Sequence, residues 1–328
     1  VIKGMYGIIK SFGFRQGTIL EPACGVGNFF GCLPDTMQGC SLYGVELDSI
    51  SARIAAQLYP TAHITAAGFE TTNRRDFFDL AVGNVPFGQY QVDDPAYNKL
   101  GFSIHDYFFA KTLDQVRPGG IIAFITSRYT MDKKSPEVRR YIAQRAELIG
   151  AIRLPNDAFR ANAGTSVVSD ILFLQKRERP IEAEADWIHL DQTPEGFAIN
   201  SYFVAHPDMV LGKTTAQSTM YAKQDYTVVS LPNADLAAQL KTAGQQIIGH
   251  YAELEAAPQE LPDDVPAEIP ADPSIKEYSY GVVKNRIYYR TGATMVPLAV
   301  GHPDAGRIKG MIELRDCVRQ LLDEQLAN

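Results

Sequence analysis

The chain has no long hydrophobic run. Its longest unbroken apolar stretch is 121–125, far short of the roughly 20 residues that a membrane-spanning helix needs. No basic opening followed by an apolar core marks a secretory leader, and no membrane partner is expected. Cysteine is scarce: Cys24, Cys32, Cys40 and Cys317, none of them in a CxxC pair. That spacing argues against a structural zinc site and for reduced thiols in a cytoplasm. Basic residues are missing from one stretch, 251–274, whose seven acids account for the whole formal net charge of −7. The remainder is balanced and can still carry a basic face, so the acidity does not exclude nucleic acid.

What is present can build a core. Of 328 residues, 45% are hydrophobic and 21% charged, which excludes global disorder. The length suggests roughly two domains. The chain opens on Val1 and closes at Asn328 on an amphipathic helical pattern, and this reads as a piece cut from something longer. Short apolar runs at 18–20, 41–45, 80–82, 121–126, 148–153 and 170–175 predict strands covered on both faces. Helical patterns lie between them at 50–59, 104–116 and 137–146. Ser103 and Asp106 predict a capping box for the second, with Ile104, Tyr107, Phe108, Leu113 and Val116 on one stripe. Pro118-Gly119-Gly120 predicts its stop. Ser135-Pro136 predicts the opening of the third. The alternation predicts an α/β fold with a mostly parallel sheet and helices on both faces.

Beyond Lys176 the rhythm changes. Residues 187–190 predict a strand and Pro194-Glu195-Gly196 a turn. Leu236, Leu240, Ile247, Ile248 and Tyr251 follow helical spacing. Five prolines among the acids of 251–274 predict an extended linker. A hairpin is predicted from 278–283 and 286–290 around Lys284-Asn285, then an amphipathic helix over 312–326.

Three segments carry chemistry. Glu21-Pro22-Ala23-Cys24-Gly25-Val26-Gly27 follows a predicted strand and precedes a helix. Glycines there let backbone approach a ligand, and a helix start offers unpaired N–H groups. A GxG pair is shared by many nucleotide folds, and the dinucleotide spacing is not met because position 30 is Phe30. A plain tight turn is the other reading. Glu46 ends the second strand 19 residues after Gly27, where a carboxylate can accept hydrogen bonds from both ribose hydroxyls. Asn84-Val85-Pro86-Phe87 follows the strand at 80–82, at the sheet edge where ligands collect. An Asn oxygen and a neighbouring carbonyl can accept both hydrogens of an exocyclic amine, and the Phe can stack on a flat ring. A Pro-containing turn with a core Phe is the plainer alternative.

On these residues the chain resembles the S-adenosylmethionine-dependent N6-adenine DNA methyltransferases. The first motif of that family looks like Glu21 to Gly27 and its catalytic Asn/Asp-Pro-Pro-Phe/Tyr motif like Asn84 to Phe87. The match is closer to the methylase region of large helicase–methylase fusion proteins of bacterial mobile elements. Segments similar to 83–90, 98–110, 114–123 and 146–155 recur there. The resemblance covers about residues 1–215. Two departures stand out: Val85 replaces a Pro whose carbonyl the family uses, and a Phe/Tyr-x-Thr-Pro-like segment that the family carries ahead of its first helix is not found.

The resemblance implies a Rossmann-like seven-stranded methyltransferase sheet over 1–178, an accessory α+β segment over 179–250, the acidic linker over 251–274 and a hairpin-plus-helix extension over 275–328. It implies methyl transfer from S-adenosylmethionine to the N6 amine of a flipped adenine in DNA, inside a bacterial cytoplasm. A helicase region of the same larger polypeptide is the implied protein partner. Glu21, Pro22, Cys24, Gly25, Gly27, Asn28, Glu46, Leu47 and Phe69 would hold the cofactor; an apolar core position is the other reading of Phe69. Asn84, Val85, Pro86 and Phe87 would be catalytic. Phe87 and Phe159 would hold the base. Arg128, Lys133, Lys134, Arg139 and Arg140 read as a phosphate-neutralising cluster or as a solvated helix face. Tyr278, Tyr280, Tyr288 and Tyr289, interleaved with Lys284, Arg286 and Arg290, read first as an ordinary exposed strand pair. His105 lies near a helix start with no chemistry assigned. Two alternatives use the same residues: an RNA or protein-glutamine acceptor, and a non-catalytic DNA-binding module.

Overall fold

The computed structural model describes every residue except 160–166, 219–223, 252–267, 284–285, 299–304 and 327–328. The chain forms two compact units, Val1–Glu253 and Leu254–Asn328.

The first unit is built on a seven-stranded sheet. Its strands are β1 (Thr18–Glu21), β2 (Ser41–Glu46), β3 (His63–Ala66), β4 (Phe78–Asn84), β5 (Val116–Ser127), β6 (Ala146–Leu154) and β7 (Ser169–Lys176), in the order β3-β2-β1-β4-β5-β7-β6. Pairs from β3 through β5 are parallel, and β7 runs antiparallel between β5 and β6. This is the Rossmann-like, mostly parallel methyltransferase sheet that was expected. Central strands β4, β5 and β7 are buried along nearly their whole length, as strands covered on both faces must be. Edge strand β3 has a partly buried Ile64 between exposed neighbours, which is why no apolar run announced it.

Helices α1 (Ile2–Ser11), α2 (Asn28–Gly31), α3 (Ser49–Leu58), α4 (Ile104–Gln115), α5 (Tyr129–Asp132) and α6 (Glu137–Arg145) flank the sheet. Helix α4 is buried all round, so no single stripe describes it. The expected capping box does not form there. Ser103 makes no cap to the backbone and instead donates its hydroxyl to Asp106 Oδ2 at 2.7 Å. The helix ends at Gln115, and Pro118-Gly119-Gly120 lies inside β5, where the register against β4 shifts between Phe78 and Leu80. A proline is admitted at such an irregularity because no ladder bond is required of it.

Further along, Trp187 falls in a 3-10 turn (Asp186–Ile188) ahead of strand β8 (Leu190–Gln192), rather than in a strand. β8 pairs with β9 (Ala198–Asn200) across a turn with Gly196 at φ +85°. Helix α7 (Ser201–Ala205), hairpin β10–β11 (Lys213–Ser218 and Gln224–Val229) and helix α8 (Leu236–Gln246) complete the unit. α8 packs on α1, where Gly4 and Gly244 leave room for Leu240 and Ile8.

In the second unit, β12 (Ile269–Pro270), β13 (Tyr280–Val283), β14 (Arg286–Thr291) and β15 (Thr294–Pro297) form an antiparallel sheet, and α9 (Ala305–Leu326) follows. The predicted hairpin is β13–β14, with Val283 opposite Arg286; its Lys284-Asn285 turn lies outside the described residues. Most of the expected linker, 252–267, also lies outside them. Tyr288 and Met295 are buried with Ile275 in a small core, Tyr280 packs on Tyr289, and Arg290 bonds the carbonyls of Gly292, Asp272 and Ile275. These side chains are used within the sheet. Among the described residues, no helix is long and apolar enough to cross a membrane.

Candidate functional site

Parallel strands that all end on one side bring their following loops together. Glu21 ends β1, Glu46 ends β2 and Asn84 ends β4, and β1 lies between the other two. The two central motifs therefore leave neighbouring, paired strands side by side. A Cβ on Gly83 would sit 3.5 Å from Pro22 Cδ and 3.8 Å from Glu21 Cγ.

The first loop is tied on both sides. Cys24 N–H donates to the Val45 carbonyl at 2.9 Å, and Gly25 N–H donates to Glu46 Oε2 at 2.7 Å. Gly25 (φ +53°) and Gly27 (φ +85°) adopt left-handed backbone that other residues enter only with strain. Around Gly25 a Cβ would meet nothing within 4 Å, so the loop is open there. Gly27 lies under the Tyr59 ring, which an added methyl would strike. Pro22 is buried and Asn28 exposed. The helix beyond, α2, is one turn long, and the Gly27 N–H donates to the Cys24 carbonyl at 2.8 Å, so the open space at Gly25 rather than free N–H groups is what the loop offers a ligand.

Glu46 Oε1 accepts from Asp48 N–H at 2.8 Å. A carboxylate offers about four lone-pair positions, and two backbone donors leave two, the number that a pair of vicinal hydroxyls requires. Leu47 beside it is 77% exposed. Glu21 is 2% exposed, and its Oε2 is buried without a hydrogen-bond partner. Burial, and then the charge of Glu46, push the Glu21 carboxyl well above the carboxylate range. The Cys24 thiol is pushed up to about 12 by burial and by the Glu21 and Glu46 charges. It packs as a small apolar group with Phe30 and Ala55.

Asn84 is exposed at the sheet edge, and its side chain bonds to no described residue. Val85 is buried, its N–H given to the Ile125 carbonyl at 3.0 Å. Pro86 is half-buried and Phe87 is 38% exposed. Among the described residues, the motif thus presents an unbonded amide and an available ring on a backbone pinned to β5. Phe159 follows β6, half-buried against the core. Its segment is held by the hairpin: Asn156 N–H donates to the Val228 carbonyl at 2.8 Å, and Ser230 donates to Asp157.

Other expected site residues are placed differently. Phe69 is buried, tilted against Phe108 at 4.9 Å and edge-on to Tyr107. Its ring belongs to the core. The basic cluster is mostly consumed inside the protein. Lys133 Nζ bonds Asp106 Oδ2 at 2.5 Å and Ser103 at 3.2 Å. Arg128 bonds Asp225 at 2.6 Å, and the buried Arg139 bonds the carbonyls of Ile188 and Lys133. Lys134 is exposed. A charge read from sequence as solvated is here the partner of a buried acid, because Asp106 is fully buried on α4.

Sequence reading missed two buried networks. Arg153, fully buried, is bidentate to Asp170 at 2.7 and 2.8 Å, bonds Asp132 at 2.9 Å and lies over the Phe203 ring. Asn200 N–H also donates to Asp132, joining the accessory segment to the sheet. The second network joins Asp94, Tyr107 and Lys111. His105 is buried beside Asp106, with Nδ1 unpartnered. Burial holds its imidazole low, Asp106 opposes that, and Lys133 reinforces it.

Comparison with known proteins adds the following. No family model matches the chain. It is 30% identical over 197 residues to the defense against restriction protein B of Escherichia phage P1, covering 58% of this chain. The chain spans 8% of that protein's length. Solved structures with a similar fold include S-adenosylmethionine-dependent methyltransferases. One from Listeria monocytogenes, assigned to class I, has a TM-score of 0.45 and 19% identity over 56% of this chain and 62% of that one. A chain assigned as the modification subunit of a type I restriction enzyme of Vibrio vulnificus has a TM-score of 0.47 and 14% identity, over 61% and 57%. At these identities the likeness concerns fold, which the strand order already establishes.

Proposed function

We propose that this chain transfers a methyl group from S-adenosylmethionine to the N6 amine of adenine in DNA. The observation that carries the reading is the exposed Asn84 amide at the end of β4, which bonds to no described residue and stands beside the strand that leads into the Glu21 to Gly27 loop. The residues present suit the cofactor. An open left-handed loop at Gly25, the two remaining lone-pair positions of Glu46, and exposed Leu47 would hold it. Bound, it supplies a methyl on a sulfonium that needs no further activation.

The remaining chemistry belongs to the chain. The lone pair of an exocyclic amine is delocalised into its ring, so the nitrogen is a poor nucleophile. Asn84 Oδ1 and the Val85 carbonyl accept its two hydrogens and favour a pyramidal nitrogen with a localised lone pair. Acceptors fixed in advance reorganise little, and removing one costs about 10²–10³ in rate in comparable sites. The Val85 backbone is fixed by its bond to β5. Phe87 stacks on the base, with Phe159 as a second wall. The amine is unreachable within a duplex, so the base must leave the stack. Lys134 remains as an exposed phosphate contact, while Lys133 would first have to leave Asp106. We infer also that the chain works as the methylase part of a longer polypeptide with a helicase region; the length of its phage relative supports the longer polypeptide.

The test is transfer of tritium from labelled S-adenosylmethionine to unmethylated plasmid DNA, followed by nucleoside digestion and chromatography. Label in N6-methyldeoxyadenosine, reduced about 10²–10³-fold by Asn84→Ala, is the expected result. Label appearing only in RNA or in protein glutamine moves the acceptor. Absence of label on every acceptor, with DNA still bound, leaves the non-catalytic module.

A further inference from the structure

Helix α4 carries a buried cation that holds two separate loops at once. Lys111 is 4% exposed. Its ammonium donates to the Glu70 carbonyl at 2.9 Å and to Asp94 Oδ2 at 2.7 Å. Glu70 lies in the turn after β3, next to Phe69, and Asp94 lies in segment 88–101, which follows the Asn84 motif. Asp94 organises its own segment: its Oδ1 accepts from Ala96 N–H, its carbonyl from Tyr97 and Asn98, and its Oδ2 also from the Tyr107 hydroxyl at 2.7 Å. The same helix face continues the double grip. Gln115 donates to Thr72 Oγ1 at 2.6 Å, and Asp114 Oδ2 accepts from the Tyr97 hydroxyl at 2.7 Å. Phe69, Tyr97 and Tyr107 surround the ammonium with their rings at 5.6 to 5.9 Å. A buried ammonium has few alternative partners, since each lost bond leaves it poorly solvated. Neither loop can therefore shift far without the other.

We propose that Lys111, with Asp94, is a positioning element that couples the cofactor-side turn at 69–75 to the substrate-side segment 88–101. The inference rests on the cofactor reading above and extends it to the turn after β3, a strand whose last residue, Ala66, pairs with Glu46. Lys111 touches neither reactant. It acts through the loops, so that ordering one orders the other. Coupling of this kind is reciprocal and is worth roughly 5- to 150-fold in affinity where it has been measured.

Hydrogen exchange of the whole chain, with and without sinefungin as a non-reactive probe, tests it. Wild type is expected to show slower exchange at 21–27 and 69–75 on binding, and slower exchange at 88–101 as well. In Lys111→Met the first two changes remain and the third is lost; Lys111→Arg restores it in part. Should Lys111→Met fail to fold, Asp94→Asn keeps an oxygen at the same place and is read the same way. Protection at 88–101 that persists in the variants, or that never occurs in wild type while 21–27 is protected, overturns the coupling. No protection at 21–27 in wild type overturns the cofactor reading itself, and the coupling with it.

Discussion

Glu21 offers the sharpest physical test of the site. Its carboxyl is 2% exposed and one oxygen has no partner among the described residues, so the folded protein holds the proton to a higher pH than the unfolded chain does. The unfolded chain releases it near the ordinary value of 4.5. Between that pH and the higher folded-state value, the native state binds one more proton than the unfolded state. Stability from this group is therefore complete below pH 4.5 and is lost as pH rises toward the folded-state value. The slope is at most about 1.4 kcal/mol per pH unit, so two units inside the window cost at most about 3 kcal/mol. Glu21→Gln keeps the shape and removes the titration. Urea unfolding of both proteins at pH 5, 6, 7 and 8 should show the variant gaining on wild type as pH rises. A difference that stays constant across those four pH values would refute the argument that Glu21 is held neutral. In the same variant, methyl transfer is expected to fall if the carboxyl faces the cofactor.

Three further outcomes are expected. Arg153→Met leaves Asp170 buried without its cation and takes from Asp132 the nearer of its two, Arg128 remaining at 3.5 Å, a loss of about 3–5 kcal/mol; at about 2–4 °C per kcal/mol, differential scanning fluorimetry should show a clear drop in Tm. The double variant Arg153→Met, Asp170→Leu should recover part of it, and no recovery would show that the pair is not the cause. Gly27→Ala meets both the Tyr59 ring and a φ of +85°, so it should lose about 1–3 kcal/mol in urea unfolding. Gly25→Ala, at φ +53° with open space around it, should lose about 1 kcal/mol yet weaken sinefungin binding more than Gly27→Ala does, as calorimetry would report.

Much of the fold was legible because burial on both faces leaves a plain mark. Runs such as Ile121-Ile122-Ala123-Phe124-Ile125 and Ile171-Leu172-Phe173-Leu174 are apolar without interruption and became β5 and β7. Strand β3 was illegible because an edge strand needs only one side covered, and His63-Ile64-Thr65-Ala66 carries a single sizeable apolar residue. Trp187 suggested a strand because its bulk and neighbours fit one, but local geometry turned that segment into a 3-10 turn.

The order of Glu21, Glu46 and Asn84 along the chain, each at the end of an apolar run, is a property of sequence alone. In parallel strands this order is enough to place all three at one edge. What sequence could not decide was which charges remain for a ligand. Lys133 and Arg128 look identical to surface cations until tertiary structure brings buried Asp106 and the hairpin's Asp225 within reach. Phe69 reads from sequence as a cofactor contact or as core, and packing sets its ring against Phe108. Lys111, Asp94 and Arg153 have no local signature, because their ion-pair partners are 17 or more residues away. Burial sets the worth of a charge or a ring, and burial is a property of the packed molecule, which is why the sheet edge could be read from sequence and its electrostatics could not.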